Sequence, residues 1–224
     1  MRILAVADVE EPILWDYFDR DYVKDVDLIL SAGDLKKSYL EFLVTMANCP
    51  LLYVHGNHDS RYQNDPPEGC ICIEEKVFDF HGLRILGLGG SMRYKEGPYM
   101  YNESEMERRI LKTTPAIAMK NGFDILLAHS PIRGFGDLND LPHVGYSCFS
   151  TLLMRWKPKL MLHGHVHKSY GHFKAEREHP SGARILNVCG HMFIDIPEGS
   201  YPGEGKTGSP LYDLYIALQK RKMK

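Results

Sequence analysis

Short apolar runs recur along this chain, and the side chain that ends several of them is one able to hold a metal ion. Asp8 follows Ile3-Leu4-Ala5-Val6-Ala7, and Asp34 follows Leu28-Ile29-Leu30-Ser31-Ala32-Gly33. Gly56-Asn57-His58-Asp59 lies just past Leu51-Leu52-Tyr53-Val54, while His129 and the pair His165 and His167 come after Ile125 to Ala128 and Leu160 to Leu162. In an open α/β sheet the carboxyl ends of the strands form the crevice where ligands bind, so five such strands would deliver their donors to one edge. Buried carboxylates are costly unless paired, hydrogen-bonded or bound to a cation, so two converging aspartates imply something positive between them.

The runs are rich in Leu and β-branched residues and are separated by segments long enough for helices, the pattern of an α/β fold with buried strands. Strands are expected at Ile3 to Ala7, Leu28 to Ser31, Leu51 to Val54, Leu83 to Leu88, Ile125 to Ala128 and Leu160 to Leu162. Runs at Lys76 to Phe80, Arg184 to Val188 and Tyr212 to Leu218 alternate more and predict a second, partly exposed sheet. Helices are expected over Pro12 to Arg20, Lys37 to Asn48, Glu103 to Met119 and Ser147 to Trp156. Asn102 or Ser104 can cap the third of these, and Pro115 predicts a kink or an end near Thr114. Pro197 to Pro210, with four glycines and three prolines, reads as a long loop before a last strand.

With 224 residues, the chain is read as one domain over 1–224. A net charge of −2 disfavours tight binding to long nucleic acid, which needs clustered Lys and Arg. The apolar run after Arg2 is too short for a signal peptide, and no stretch approaches the roughly 18 apolar residues of a membrane span. Five cysteines without paired spacing point to reduced thiols, so a cytoplasmic location is expected.

Asp8, Gly33-Asp34, Gly56-Asn57-His58-Asp59, His129 and Gly164-His165-Val166-His167 together resemble the calcineurin-like metallophosphoesterase family, in order and over nearly the whole chain. Leu86-Gly87-Leu88-Gly89-Gly90-Ser91 and His143-Val144-Gly145 are similar to small, single-domain microbial members. The resemblance implies a four-layer α/β/β/α sandwich with a dinuclear metal site at the strand ends. It assigns Asp8 and His167 to one metal and Asn57, His129 and His165 to the other, with Asp34 bridging. His58 is not a ligand in the family but sits beside the metals, where it can protonate a leaving oxygen or stabilise the phosphorane, with Asp59 expected to orient it.

The family's first motif is usually Asp-x-His, whereas this chain reads Asp8-Val9-Glu10. Glu10 either binds the first metal through oxygen or is a surface carboxylate. As a ligand it would make the site harder and more anionic, favouring Mn or Fe over Zn, Ni or Co. The implied reaction is hydrolysis of a small phosphoester, a diester in the first instance, by a hydroxide held between two ions roughly 3.5–4 Å apart. A phosphomonoesterase and a non-catalytic interaction module of the same fold are the alternatives, the second disfavoured by His58. Arg93, Arg133 and His143 lie on loops of the same edge and are candidates for substrate contact, while the oligomeric state is left open.

Overall fold

The computed structural model describes residues 1–170 and 174–222. In chain order its strands are β1 (Arg2–Ala7), β2 (Leu28–Ser31), β3 (Leu51–Tyr53), β4 (Ile71–Cys72), β5 (Val77–Phe80), β6 (Leu83–Leu88), β7 (Ser91–Met92), β8 (Met100–Tyr101), β9 (Ile125–Ala128), β10 (Leu160–His163), β11 (Glu176–Glu178), β12 (Arg184–Asn187) and β13 (Gly190–Asp195). The α-helices are α1 (Arg20–Val23), α2 (Lys37–Ala47), α3 (Glu103–Met119), α4 (Ser147–Trp156) and α5 (Pro210–Lys222).

One sheet has the order β13-β1-β2-β3-β4 and the other β11-β12-β10-β9-β6-β5. Within them β1 to β4 run parallel in register from Ile3 opposite Leu28, and β6, β9, β10 and β12 run parallel from Ile85 opposite Ile125. Parallel strands covered on both faces read as continuous apolar runs, which is why β1, β2, β6 and β9 are so legible in the sequence.

Alternation along each strand then sorts side chains between two cores. Ile3, Ala5, Leu28 and Leu30 pack against Ile85, Ile125, Leu127 and Leu162 in the layer between the sheets. Their neighbours Leu4, Val6 and Ile29 face Tyr39, Leu40 and Leu43 of α2. Leu86, Leu126 and Met161 face Met106 and Ile117 of α3 and Phe149, Leu152 and Leu153 of α4. The result is helix, sheet, sheet, helix.

Three expectations are corrected. Tyr212 to Leu218 is not a strand but most of α5, entered through Pro210 at its first position, where the missing amide costs nothing. Pro12 to Arg20 is not one helix: a single 3₁₀ turn spans Pro12–Leu14, and the short α1 starts only at Arg20, capped by the Asp19 side chain. Helix α3 does not stop at Thr114, since the carbonyl that Pro115 leaves without a donor is that of Leu111, an exposed residue. Its start is as expected, a capping box between Asn102 and Glu105. The more alternating runs at Lys76 to Phe80 and Arg184 to Val188 do supply β5 and β12, within the six-stranded sheet. None of the helices among the described residues is long and apolar enough to cross a membrane.

Candidate metal centre

Strands β1, β2, β3, β9 and β10 end on one rim, where Asp8, Asp34, Asn57, His129 and His165 come together. Asp8 (φ 63°), Asp34 (φ 57°) and His165 (φ 69°) all occupy the left-handed region, which non-glycine residues enter only where their surroundings enforce it. Two glycines allow the close approach. A Cβ on Gly56 would lie 2.0 Å from Asp34 Oδ1, and one on Gly164 would lie 2.3 Å from Asp8 Oδ2.

Asp34, His129 and His165 offer ligand atoms that all lie within 4.8 Å of one another. The tautomers of both rings are set by backbone carbonyls, which can only accept. His129 donates from Nδ1 to the Ala32 carbonyl at 2.7 Å, and His165 donates from Nε2 to the Pro142 carbonyl at 2.7 Å. The remaining nitrogens, His129 Nε2 and His165 Nδ1, therefore face each other at 3.1 Å. Asn57 Oδ1 stands 3.0 Å and Asp34 Oδ2 3.4 Å from His129 Nε2.

Four electron-pair donors thus point at one small volume, and such a cluster requires positive charge. Burial alone would lower the His129 pKa, but the Asp34 carboxylate outweighs it and raises it to about 9. Burial pushes Asp34 upward, yet the charge and hydrogen bond of His129 and the His58 amide hold it at about 2. His165 is pushed down to about 3 by burial and by His129, leaving it neutral with its lone pair available. A mixed carboxylate, amide and imidazole set suits first-row divalent cations, so these residues fit the metal that the sequence implies.

Asp8 enters from β1, accepting the His165 amide at 3.0 Å on both oxygens. Burial raises its pKa to about 7, eased by His129 and reinforced by Asp34. His167 lies two residues beyond His165 and is half-buried; burial lowers its pKa while the Asp34 charge opposes this, so the two sense each other. Among the described residues no hydrogen bond joins Asp59 to the His58 ring. Asp59 Oδ2 accepts the Gly56 amide at 2.7 Å and the Asp34 amide at 2.9 Å, bracing the two turns that carry Asp34 and Asn57. His58 is exposed, with its amide donating to Asp34 Oδ1 at 2.7 Å.

Glu10 is engaged by Lys36. Its carboxylate accepts the amide and the ammonium of Lys36, each at 3.0 Å. Arg93 is likewise engaged, by Glu105 at 2.8 Å and 3.0 Å and by the Met100 carbonyl. Arg133 is exposed on the loop after β9. His143 does reach the centre: its ring lies 5.3 Å from that of His165 and is oriented by Asp140 Oδ2 at 2.6 Å. Sequence reasoning missed the carbonyls of Ala32 and Pro142, which carry no residue-type signal, and the contact by which the Tyr94 hydroxyl accepts from Asn57 Nδ2 at 3.4 Å.

Comparison with known proteins agrees with this geometry. The family model of the calcineurin-like phosphoesterases matches residues 1–169, and the chain belongs to that family. An uncharacterized protein of Haemophilus influenzae is 25% identical over 209 residues, covering 80% of this chain and 86% of its own length. The UPF0046 protein C25E10.12 of Caenorhabditis elegans is 21% identical over 206 residues, covering 76% and 70%. Among solved structures, TT1561 of Thermus thermophilus superposes with a TM-score of 0.56 at 17% identity, over 84% of this chain and 89% of its own, a likeness of fold.

Proposed function

We propose that this chain hydrolyses phosphoesters, with diesters of small alcohols as its substrates, at a pair of divalent cations. The observation that carries the reading is the pair of imidazoles whose tautomers are fixed by the Ala32 and Pro142 carbonyls, so that both lone pairs converge with the Asp34 carboxylate. Asn57, His129 and His165 would hold one ion and Asp8 and His167 the other, with Asp34 shared between them. When bound, the ions supply Lewis acidity, lowering the pKa of a water and neutralising charge on the phosphoryl oxygens.

The protein's own groups do the rest. Asp59, through the Gly56 and Asp34 amides, keeps two turns in register without taking part in proton transfer. Tyr94 accepts from the Asn57 amide nitrogen, which leaves the Asn57 oxygen facing the cluster, 3.0 Å from His129 Nε2. His58 stands exposed beside Asp34, where its ring can hand a proton to the departing alkoxide and make poor leaving groups tolerable. Retention of His58 at this position is what favours an enzyme over a binding module.

The test is hydrolysis by purified protein, with manganese or with chelator, of a panel of mono- and diesters that includes cyclic nucleotides. Metal-dependent turnover with diesters ahead of the matching monoesters is expected. His58→Ala should cut turnover on unactivated alkyl esters by about 100-fold or more while bound manganese, measured by elemental analysis, stays the same. Full activity in that variant, or no metal-dependent hydrolysis of any ester, refutes the assignment.

A further inference from the structure

A cleft of about 660 Å³ opens beside the metal centre, with Asp34 and His58 in its wall. That volume is typical of a site for a small organic ligand. Its far side is built by the first turn of α2 and by the 3₁₀ segment Asp59–Gln63 with Asp65 beyond it. Because His58 is the proton donor in the reading above, this is the space into which a leaving alcohol departs, and the inference rests on that reading.

The chemistry of the wall selects among leaving groups. A second phosphate would need an excess of unpaired cations, yet five carboxylates face two lysines and one arginine here, and Arg61 alone of the three cations has no carboxylate partner among the described residues. Lys36 is bound by Glu10 at 3.0 Å, and Lys37 by Asp65 and, at 3.6 Å, by Glu41. With Asp34 turned to the metal centre and Asp59 holding two amides, three carboxylates remain against three cations. A nucleobase would need an aromatic platform. Tyr62, the phenol ring in the lining, is only 6% exposed, and its hydroxyl is spent on the Leu35 carbonyl at 2.6 Å. What the cleft does present is donors beside acceptors: the Lys36 and Lys37 ammonium groups and the Arg61 guanidinium, the carboxylates of Glu10, Glu41 and Asp65, and the hydroxyls of Ser38 and Ser60. Neighbouring hydroxyls of a polyol are both donors and acceptors and match such an alternation, whereas an alkyl group would offer no partner to the Ser38 and Ser60 hydroxyls or the Arg61 guanidinium.

We infer that this cleft is a leaving-group subsite for an uncharged polyol, so that the preferred substrates are phosphodiesters in which one alcohol is a glycerol- or sugar-like group. The experiment compares kcat/KM of the manganese-loaded protein for three diesters that differ only in that alcohol: polyol, alkyl chain of equal length, and phosphorylated polyol. A bis-aryl phosphate serves as the activity reporter. The polyol ester is expected to exceed both others by about tenfold or more, the loss that accompanies one or two unmade hydrogen bonds to charged groups. Ser60→Ala with Asp65→Ala should bring the polyol-to-alkyl ratio down by about tenfold. Asp65→Lys should shift preference toward the phosphorylated polyol. Both positions are exposed, and circular dichroism checks that the variants fold.

Protein-observed NMR gives a readout independent of turnover: adding the free polyol to chelated protein should shift the amide signals of Ser38, Ser60 and Arg61. Hydrolysis of the reporter with a polyol-to-alkyl ratio near one, ratios unchanged in the variants, or shifts confined to another face would overturn the subsite while leaving the phosphoesterase reading intact. No metal-dependent hydrolysis of the reporter or of any diester would overturn both.

Discussion

His129 is the residue on which the centre turns, because its two ring nitrogens meet opposite environments. Nδ1 is fixed to the Ala32 carbonyl and Nε2 faces Asp34 Oδ2, so a proton on the ring is stabilised until about pH 9. A folded pKa raised from 6.5 contributes stability that is fully present below pH 6.5 and is lost as pH rises through about 9, a span on the order of 3 kcal/mol. Ionisation of Asp8, whose pKa is raised to about 7 by burial, acts in the same direction up to that pH. Chelated protein should therefore melt at progressively lower temperature from pH 6.5 to 9, and manganese should raise the melting temperature more at pH 9 than at pH 6.5. A melting temperature independent of pH in chelator would show that His129 and Asp34 are not coupled as described. Most of this residue set was legible from strand ends alone. Glu10 and Arg93 were not, since their partners, Lys36 at the start of α2 and Glu105 in the first turn of α3, can be identified only once those helices are packed alongside.

Helices illustrate how local rules compete. Helix α3 keeps its interior proline because the cost falls on a solvent-facing turn, while the Thr113 and Thr114 hydroxyls donate to the Ile110 carbonyl. Pro115→Ala returns a donor to the Leu111 carbonyl at an exposed position, and it should stabilise the protein by about 1–3 kcal/mol in urea unfolding. No gain would mean that the proline ring at this position itself fits α3 to its surroundings. Helix α5 was misread because Leu211-Tyr212-Asp213-Leu214-Tyr215-Ile216-Ala217-Leu218 satisfies two periods at once. Tyr212, Leu214, Ile216 and Leu218 alternate as in a strand, whereas Leu211, Leu214, Tyr215 and Leu218 recur as on one helix face. Pro210 at the first position and the Asp213 carboxylate, which accepts the Thr207 and Gly208 amides, decide for the helix. Helix α4 shows the reverse dependence: its first turn has no local cap, and Glu103 of α3 accepts the Ser147 and Cys148 amides instead.

At the scale of the molecule, the two sheets are joined next to the metal centre by the segment after β4. Ile73 continues the first sheet by donating to the Tyr53 carbonyl, and Glu75 donates to Gly87 of the second. Glu74 sits at this junction, accepting the amides of His55 at 2.9 Å and Gly89 at 3.1 Å. Arg109 of α3 closes the arrangement, pairing with Glu74 and Glu75 and donating to the Gly89 carbonyl at 2.6 Å. Arg109→Met would leave a buried carboxylate uncompensated, so a loss of about 3–5 kcal/mol is expected in urea unfolding. Adding Glu74→Leu should recover part of that loss. A cost under about 1 kcal/mol for the single variant would show that the pair does not hold the sheets together.

By itself the sequence determined the buried strands and the donors that end them, because an apolar run followed by Asp, Asn or His is a local pattern that survives whatever else the chain does. It also determined the capping of α3, another interaction between near neighbours. Only the tertiary structure decided which lone pairs converge, that Asp59 braces two backbone amides, that Glu10 leans toward Lys36, and that a charge-balanced cleft lies beside His58. Those outcomes depend on backbone carbonyls and on partners dozens of residues away, and both acquire meaning only when the layers are packed.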